Sequence, residues 1–137
     1  MISEKYLFNT IYREEGSDIV FIEFSAGLKV NLEVAKELLA NRLQFTKNEK
    51  HYLVLDLSNV KEVSSEAKEF MQQPESGLTN ILGSALIATN PVSALIANIF
   101  MKTKKDFQAR FFPDKESAID WISEHQKMRN VHKNDSF

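Results

Sequence analysis

The chain has 137 residues, 43% of them hydrophobic and ten of them Phe, which suits one domain with a core of its own. A formal net charge of −2 offers no general attraction to nucleic acid or to anionic lipid. The absence of cysteine excludes disulfides, thiolate catalysis and zinc–thiolate sites, and a reducing cytoplasmic setting is the natural expectation. Met1-Ile2-Ser3-Glu4-Lys5 does not open a secretory signal, and no apolar run approaches a membrane span.

In chain order, Tyr6 to Tyr12 alternates, with Tyr6, Phe8, Thr10 and Tyr12 on one side, and Glu14 to Asp18 supplies turn chemistry. Ile19 to Phe24 is rich in β-branched and aromatic residues, so the two segments predict an antiparallel hairpin. Asn31 is placed to cap a helix in which Leu32, Ala35, Leu38, Leu39 and Leu43 recur at helical spacing to about Phe45. Tyr52 to Leu57 does not alternate, the mark of a parallel strand covered on both faces. A short helix is predicted from Ser65 to Gln73, with Pro74 to Gly77 breaking it. Ala85 to Thr89 is a second buried strand. Asn90-Pro91 then starts a third helix to about Thr103, with Val92, Leu95, Ile96, Ile99 and Phe100 as its inward stripe. Phe107 to Phe112 forms the last strand, and Asp114 caps a final helix carrying Ala118, Ile119, Trp121 and Ile122. Residues 1–125 make the domain, and 126–137 are a polar extension expected to fray.

The predicted order β-β-α-β-α-β-α-β-α gives a mixed, mainly parallel sheet with packed helices. Its most informative segment is Leu53-Val54-Leu55-Asp56-Leu57-Ser58-Asn59-Val60, followed by Val63-Ser64-Ser65-Glu66-Ala67. A buried strand ending in an acid delivers a serine-capped helix to the carboxyl edge of the sheet, where open α/β folds place their sites.

That order, with Leu55-Asp56-Leu57-Ser58-Asn59-Val60 leading into Ser64-Ser65, resembles the STAS domain of anti-sigma-factor antagonists and of sulfate-transporter cytoplasmic regions. The resemblance spans Tyr6 to His125 in element order. Phe111-Phe112-Pro113-Asp114, then Ala118-Ile119-Asp120-Trp121-Ile122, is similar to a STAS-like branch of small bacterial proteins that is also compared with the CRAL-TRIO lipid-transfer fold. The resemblance implies a phosphorylated serine, flanked by an acid, a serine and a glycine. Those four positions fall on Glu66, Ser64, Ser65 and Ala67. A phosphoswitch at Glu66 is therefore impossible, and only a shifted register would place it at Ser65.

Each candidate residue has a functional and a structural reading. Ser64 or Ser65 is either a switch or a helix cap, and Glu66 is either a fixed charge at a recognition edge or an acid favouring the helix dipole. Asp56 either shapes a site or bonds the backbone of its own turn. Ala94, Ala97, Asn98 and Met101 on the third helix either line a partner groove or apolar ligand pocket, or pack on the sheet. Lys102, Lys104 and Lys105 form a small basic loop. His51, His125 and His132 lack metal-binding spacing, and no nucleophile elbow, phosphate-binding loop or dinucleotide fingerprint is present. The expectation is a non-enzymatic regulatory or protein-interaction module without cofactor or metal. Its partner is a protein met at the edge formed by Val63 to Glu69 and the start of the third helix, or a second copy met through the third helix or the hairpin's open edge. The alternative is a carrier or sensor of a small apolar, lipid-like ligand. An enzyme using Asp56, Ser65 and Glu66 has the least support.

Overall fold

A computed structural model describes residues 1–101 and 109–135 of the chain. Residues 6–8, expected to belong to one long strand, instead form a turn in which Tyr6 N–H donates to the Asn9 carbonyl at 2.7 Å. The turn divides the segment into β1 (Ile2–Lys5) and β2 (Asn9–Arg13). β3 (Ile19–Phe24) completes the expected hairpin with β2. β1 covers the outer side of β2, so this edge of the sheet is a short strand with every residue exposed.

β5 (His51–Asp56) and β7 (Ile81–Ile87) lie side by side in parallel. The six-stranded order is β1-β2-β3-β5-β7-β8, with β8 spanning Ala109–Phe112 and β3 to β8 all parallel. The missing alternation in β5 has the expected cause. Tyr52 and Val54 pack with Ala118 and Ile122 of α4 (Lys115–Asp135) on one face. Leu53 and Leu55 face the opposite way, toward Ile11, Val20 and Ile22 of the hairpin. Helices α1 (Leu32–Phe45), α2 (Ser65–Met71) and α3 (Pro91–Met101) cover that second side. α4 continues through the polar segment from Gln126, and the Gln126 side-chain amide donates to Asp18.

Two short strands were absent from the sequence reading. β4 (Leu28–Val30) and β6 (Val60–Val63) form a separate parallel pair. Residues of this length carry little periodic signal, and their pairing joins segments about thirty positions apart, where loop closure rather than local pattern decides. The pair sets two helix starts side by side. α1 follows β4, α2 follows β6, and Ser64 N–H donates to the Val30 carbonyl at 2.9 Å.

α3 is rotated relative to its expected stripe. Ser93 and Ala97 are fully buried and Ile96 nearly so, whereas Val92 and Leu95 are 47% and 64% exposed. Small side chains let the helix approach the sheet closely, and that contact turns the larger Val92 and Leu95 outward.

Candidate functional site

The carboxyl edge of the sheet is built from local turn and cap bonds and from links between neighbouring strand ends. Asp56 is half-buried, and its Oδ1 accepts from Ser58 N–H at 2.9 Å, closing its own turn. Ser58 and Thr89 hydroxyls meet at 2.7 Å, and the Asn90 side chain donates to the Ser58 carbonyl at 3.1 Å. These bonds fasten the end of β5 to the start of α3. Asn90 caps α3 by accepting from Ser93 N–H at 2.9 Å. Ser64 is the N-cap of α2 and accepts from Ala67 N–H at 3.1 Å. Ser65 and Glu66, in the first turn, are exposed. Ser65 and Glu66 thus face outward as expected, while half-buried Ser64 is turned to its cap bond; β5 lies mid-sheet as expected, but the segment follows the separate β4–β6 pair.

The apolar group expected on α3 is not brought together as a surface. Ala97 is fully buried in the core and belongs to no open face. Ala94 is half-buried and Asn98 exposed. The side chain of Met101 lies outside the described residues, as do Lys102, Lys104, Lys105 and the side chain of His132. Among the described side chains of α3 the exposed apolar ones are Val92 and Leu95, and those of Ile99 and Phe100, also expected on the inward stripe, lie outside the described residues.

A second region escaped the sequence reading. Beneath α1, between the helix and the sheet, lies a cavity of about 120 Å³. Its walls are mostly aliphatic, with Leu38, Leu39, Leu53, Leu55 and Leu86 prominent, and Asn9, Arg42 and Ser84 are the polar side chains that reach it. Arg42 is only 4% exposed. Its guanidinium donates to the Gly77 and Thr79 carbonyls, both at 2.8 Å, and to His51 Nε2 at 3.0 Å. The tautomer of His51 follows from its other contact. Nδ1 lies 2.8 Å from the Glu49 carbonyl, which can only accept, so Nδ1 carries the proton and Nε2 receives the Arg42 bond. Burial holds His51 down at about 4, reinforced by the Arg42 charge against the opposing pull of the Glu49 carbonyl. Burial likewise lowers Arg42 to about 10, which leaves it charged at neutral pH.

The surroundings hold this cluster rigidly. Asn48 and Asn80 both adopt positive φ, 59° and 64°, and their side chains bond at 2.7 Å. Asn tolerates that conformation, so the pair can fasten the α1–β5 connector to the lead-in of β7. Gly77 packs its Cα against the backbone of Met71, leaving no room for a Cβ. At the other side of the cavity Asn9, 2% exposed, accepts from the Asn41 amide at 3.3 Å, while its own Nδ2 has no partner. A signal for Arg42 existed in the sequence. It stands three positions after Leu39 and seven after Ala35, on the inward stripe of α1. Nothing comparable marked Asn9. Among the described residues no cluster of His, Asp and Glu has a geometry suited to a metal ion, and no helix is long and apolar enough to cross a membrane.

Comparisons with known proteins agree with this architecture. No curated protein matches the chain. A crystal structure of an uncharacterized protein of the DUF3478 family from Shewanella loihica PV-4, described as having a SpoIIAA-like fold, is similar over 86% of this chain and 97% of its own. Its TM-score is 0.54 at 19% sequence identity, a likeness of fold. The STAS-like fold expected from the Asp-Leu-Ser strand is therefore shared with a solved structure. Residues 11–126, most of the chain, match the family described as Domain of unknown function (DUF7793), and the protein belongs to that family.

Proposed function

We propose that this protein is a non-enzymatic regulatory module of the STAS type that meets a protein partner at the carboxyl edge of its sheet. The observation that carries the reading is the exposure of Val92 and Leu95 on α3, beside the β6 strand that leads into exposed Ser65 and Glu66. Apolar side chains rimmed by polar ones are the usual composition of a recognition surface. Asp56 and Ser64 hold the edge in shape through their turn and cap bonds. Affinity capture with the intact chain tests this reading, comparing wild type with Ser65→Asp, Glu66→Lys and Leu95→Asp. A partner retained by wild type and lost with these variants is the expected result. Capture that yields nothing, or a partner held equally by all four proteins, contradicts it.

The cavity under α1 favours a second reading, a carrier or sensor of a small apolar ligand. Its aliphatic walls and its position beneath a helix suit such a molecule. Native mass spectrometry of gently purified protein is the direct check, with an added small-molecule mass expected and a clean apo mass from repeated preparations as the contrary result.

A further inference from the structure

Among the described residues the cavity has an excess of donors, Arg42 and Asn9, with the Ser84 hydroxyl able to donate or accept. Arg42 carries a positive charge with no carboxylate partner among the described residues, where the ion pair found is the surface contact of Lys127 with Glu124. Its three bonds go to two carbonyls and a neutral imidazole, and a guanidinium has more N–H groups than these use. Asn9 adds a buried amide N–H with no acceptor. A buried, uncompensated cation is costly, and an anion is the group that offsets the cost most fully. The rest of the lining is apolar, so the same occupant must be mostly hydrocarbon. The volume also limits size. Benzene fills an apolar cavity of roughly 150 Å³, so about 120 Å³ corresponds to a molecule of about six heavy atoms.

We propose, resting on the ligand reading above, that the cavity receives a short-chain monocarboxylate, its anionic head on the Arg42 guanidinium and its tail among Leu38, Leu53, Leu55 and Leu86. Loop 77–79, which the same guanidinium holds through its carbonyls, forms part of the wall. A carboxylate arriving at Arg42 meets that loop directly.

Calorimetric titration of the intact protein at pH 7 with butanoate and with 2-pentanone separates charge from shape, because the two share a propyl tail and an outline and differ in that a methyl replaces one carboxylate oxygen. Butanoate is expected to bind about tenfold tighter or better, the scale of a charge-assisted hydrogen bond. Arg42→Met is expected to erase that preference. Should Arg42→Met fail to fold, Asn9→Asp serves instead. A second carboxylate on the cavity wall weakens butanoate and leaves 2-pentanone unchanged. Equal or tighter binding of 2-pentanone overturns the anionic head while leaving an apolar ligand in place. Binding of neither overturns both.

Discussion

The two ends of this sheet solve polar burial in different ways. At the carboxyl edge the turn and cap bonds are local, and neutral side chains alone, Ser58 with Thr89 and Asn90 with Ser58, tie one strand end to the next. Asp56 reaches Ser58, Ser64 reaches Ala67, and Asn90 reaches Ser93. At the amino edge the bonds span the chain. Arg42 in α1 holds the loop before β7 and the first residue of β5, while Asn48 bonds Asn80 across thirty-two positions. The first region keeps its shape cheaply and leaves Ser65 and Glu66 free at the surface. The second commits a buried charge to holding three segments together. The lesson is that a polar residue's visibility in sequence does not measure its structural weight.

The sharpest way to break this contrast is Arg42→Met. It leaves two carbonyls and the His51 Nε2 without their donor, so a loss of about 3 kcal/mol or more in urea unfolding is expected. Unchanged stability would mean that the amino edge does not depend on its cation.

Acid should act through the same region. His51 takes its proton near 6.5 when unfolded and only near about 4 when folded. The unfolded chain therefore binds more protons between those values. Stability falls as pH drops through that window, by up to about 3 kcal/mol for this group. Equilibrium unfolding at pH 7 and pH 4.5 measures the fall, and His51→Phe should flatten its slope.

Gly77→Ala sharpens the comparison at the loop that Arg42 holds. A Cβ at Gly77 meets the Met71 backbone, so a loss of about 1–3 kcal/mol is expected. Loss of the Ser64 cap at the opposite edge should be milder, about 1 kcal/mol for Ser64→Ala. Ser65→Asp and Glu66→Lys should fall within about 0.5 kcal/mol of wild type, as exposed positions without partners in the core usually do. A large loss at either would show that segment 64–66 serves the fold rather than recognition.

The same contrast explains what could be read from the sequence. Elements with strong local signals were legible: the unbroken apolar run of β5, the Asn31, Asn90 and Asp114 caps, and the Pro74 break. The Asp-Leu-Ser strand and the serine-capped helix gave the fold class and the place of segment 64–66. Three things were not legible. The β4–β6 pair is too short for periodicity and depends on distant pairing. The orientation of α3 was decided by the closeness that Ser93 and Ala97 allow, which a count of apolar positions does not weigh. The Arg42–His51 bond joins residues only nine apart, yet it forms because the helix and strand carrying them stack on the loop at 77–79. Arg42 stands on the inward stripe of α1, where a charged residue is ordinarily expected to turn to solvent. An arginine at a core position of an amphipathic helix is itself a sign that acceptors wait inside.

The most exacting claim is that an anionic head sits at the Arg42 end of the cavity, whose apolar walls run on to Leu57, Val60 and Val63, and that exposed Ser65 and Glu66 take no part in holding it. A two-dimensional nitrogen–proton spectrum recorded while butanoate is added reads both at once. Shifts are expected at the Arg42 Nε–H, the Asn9 side-chain amide and the backbone of residues 77–79, with residues 64–66 unmoved. Shifts gathered at 64–66 and along α3, with the interior silent, would contradict it.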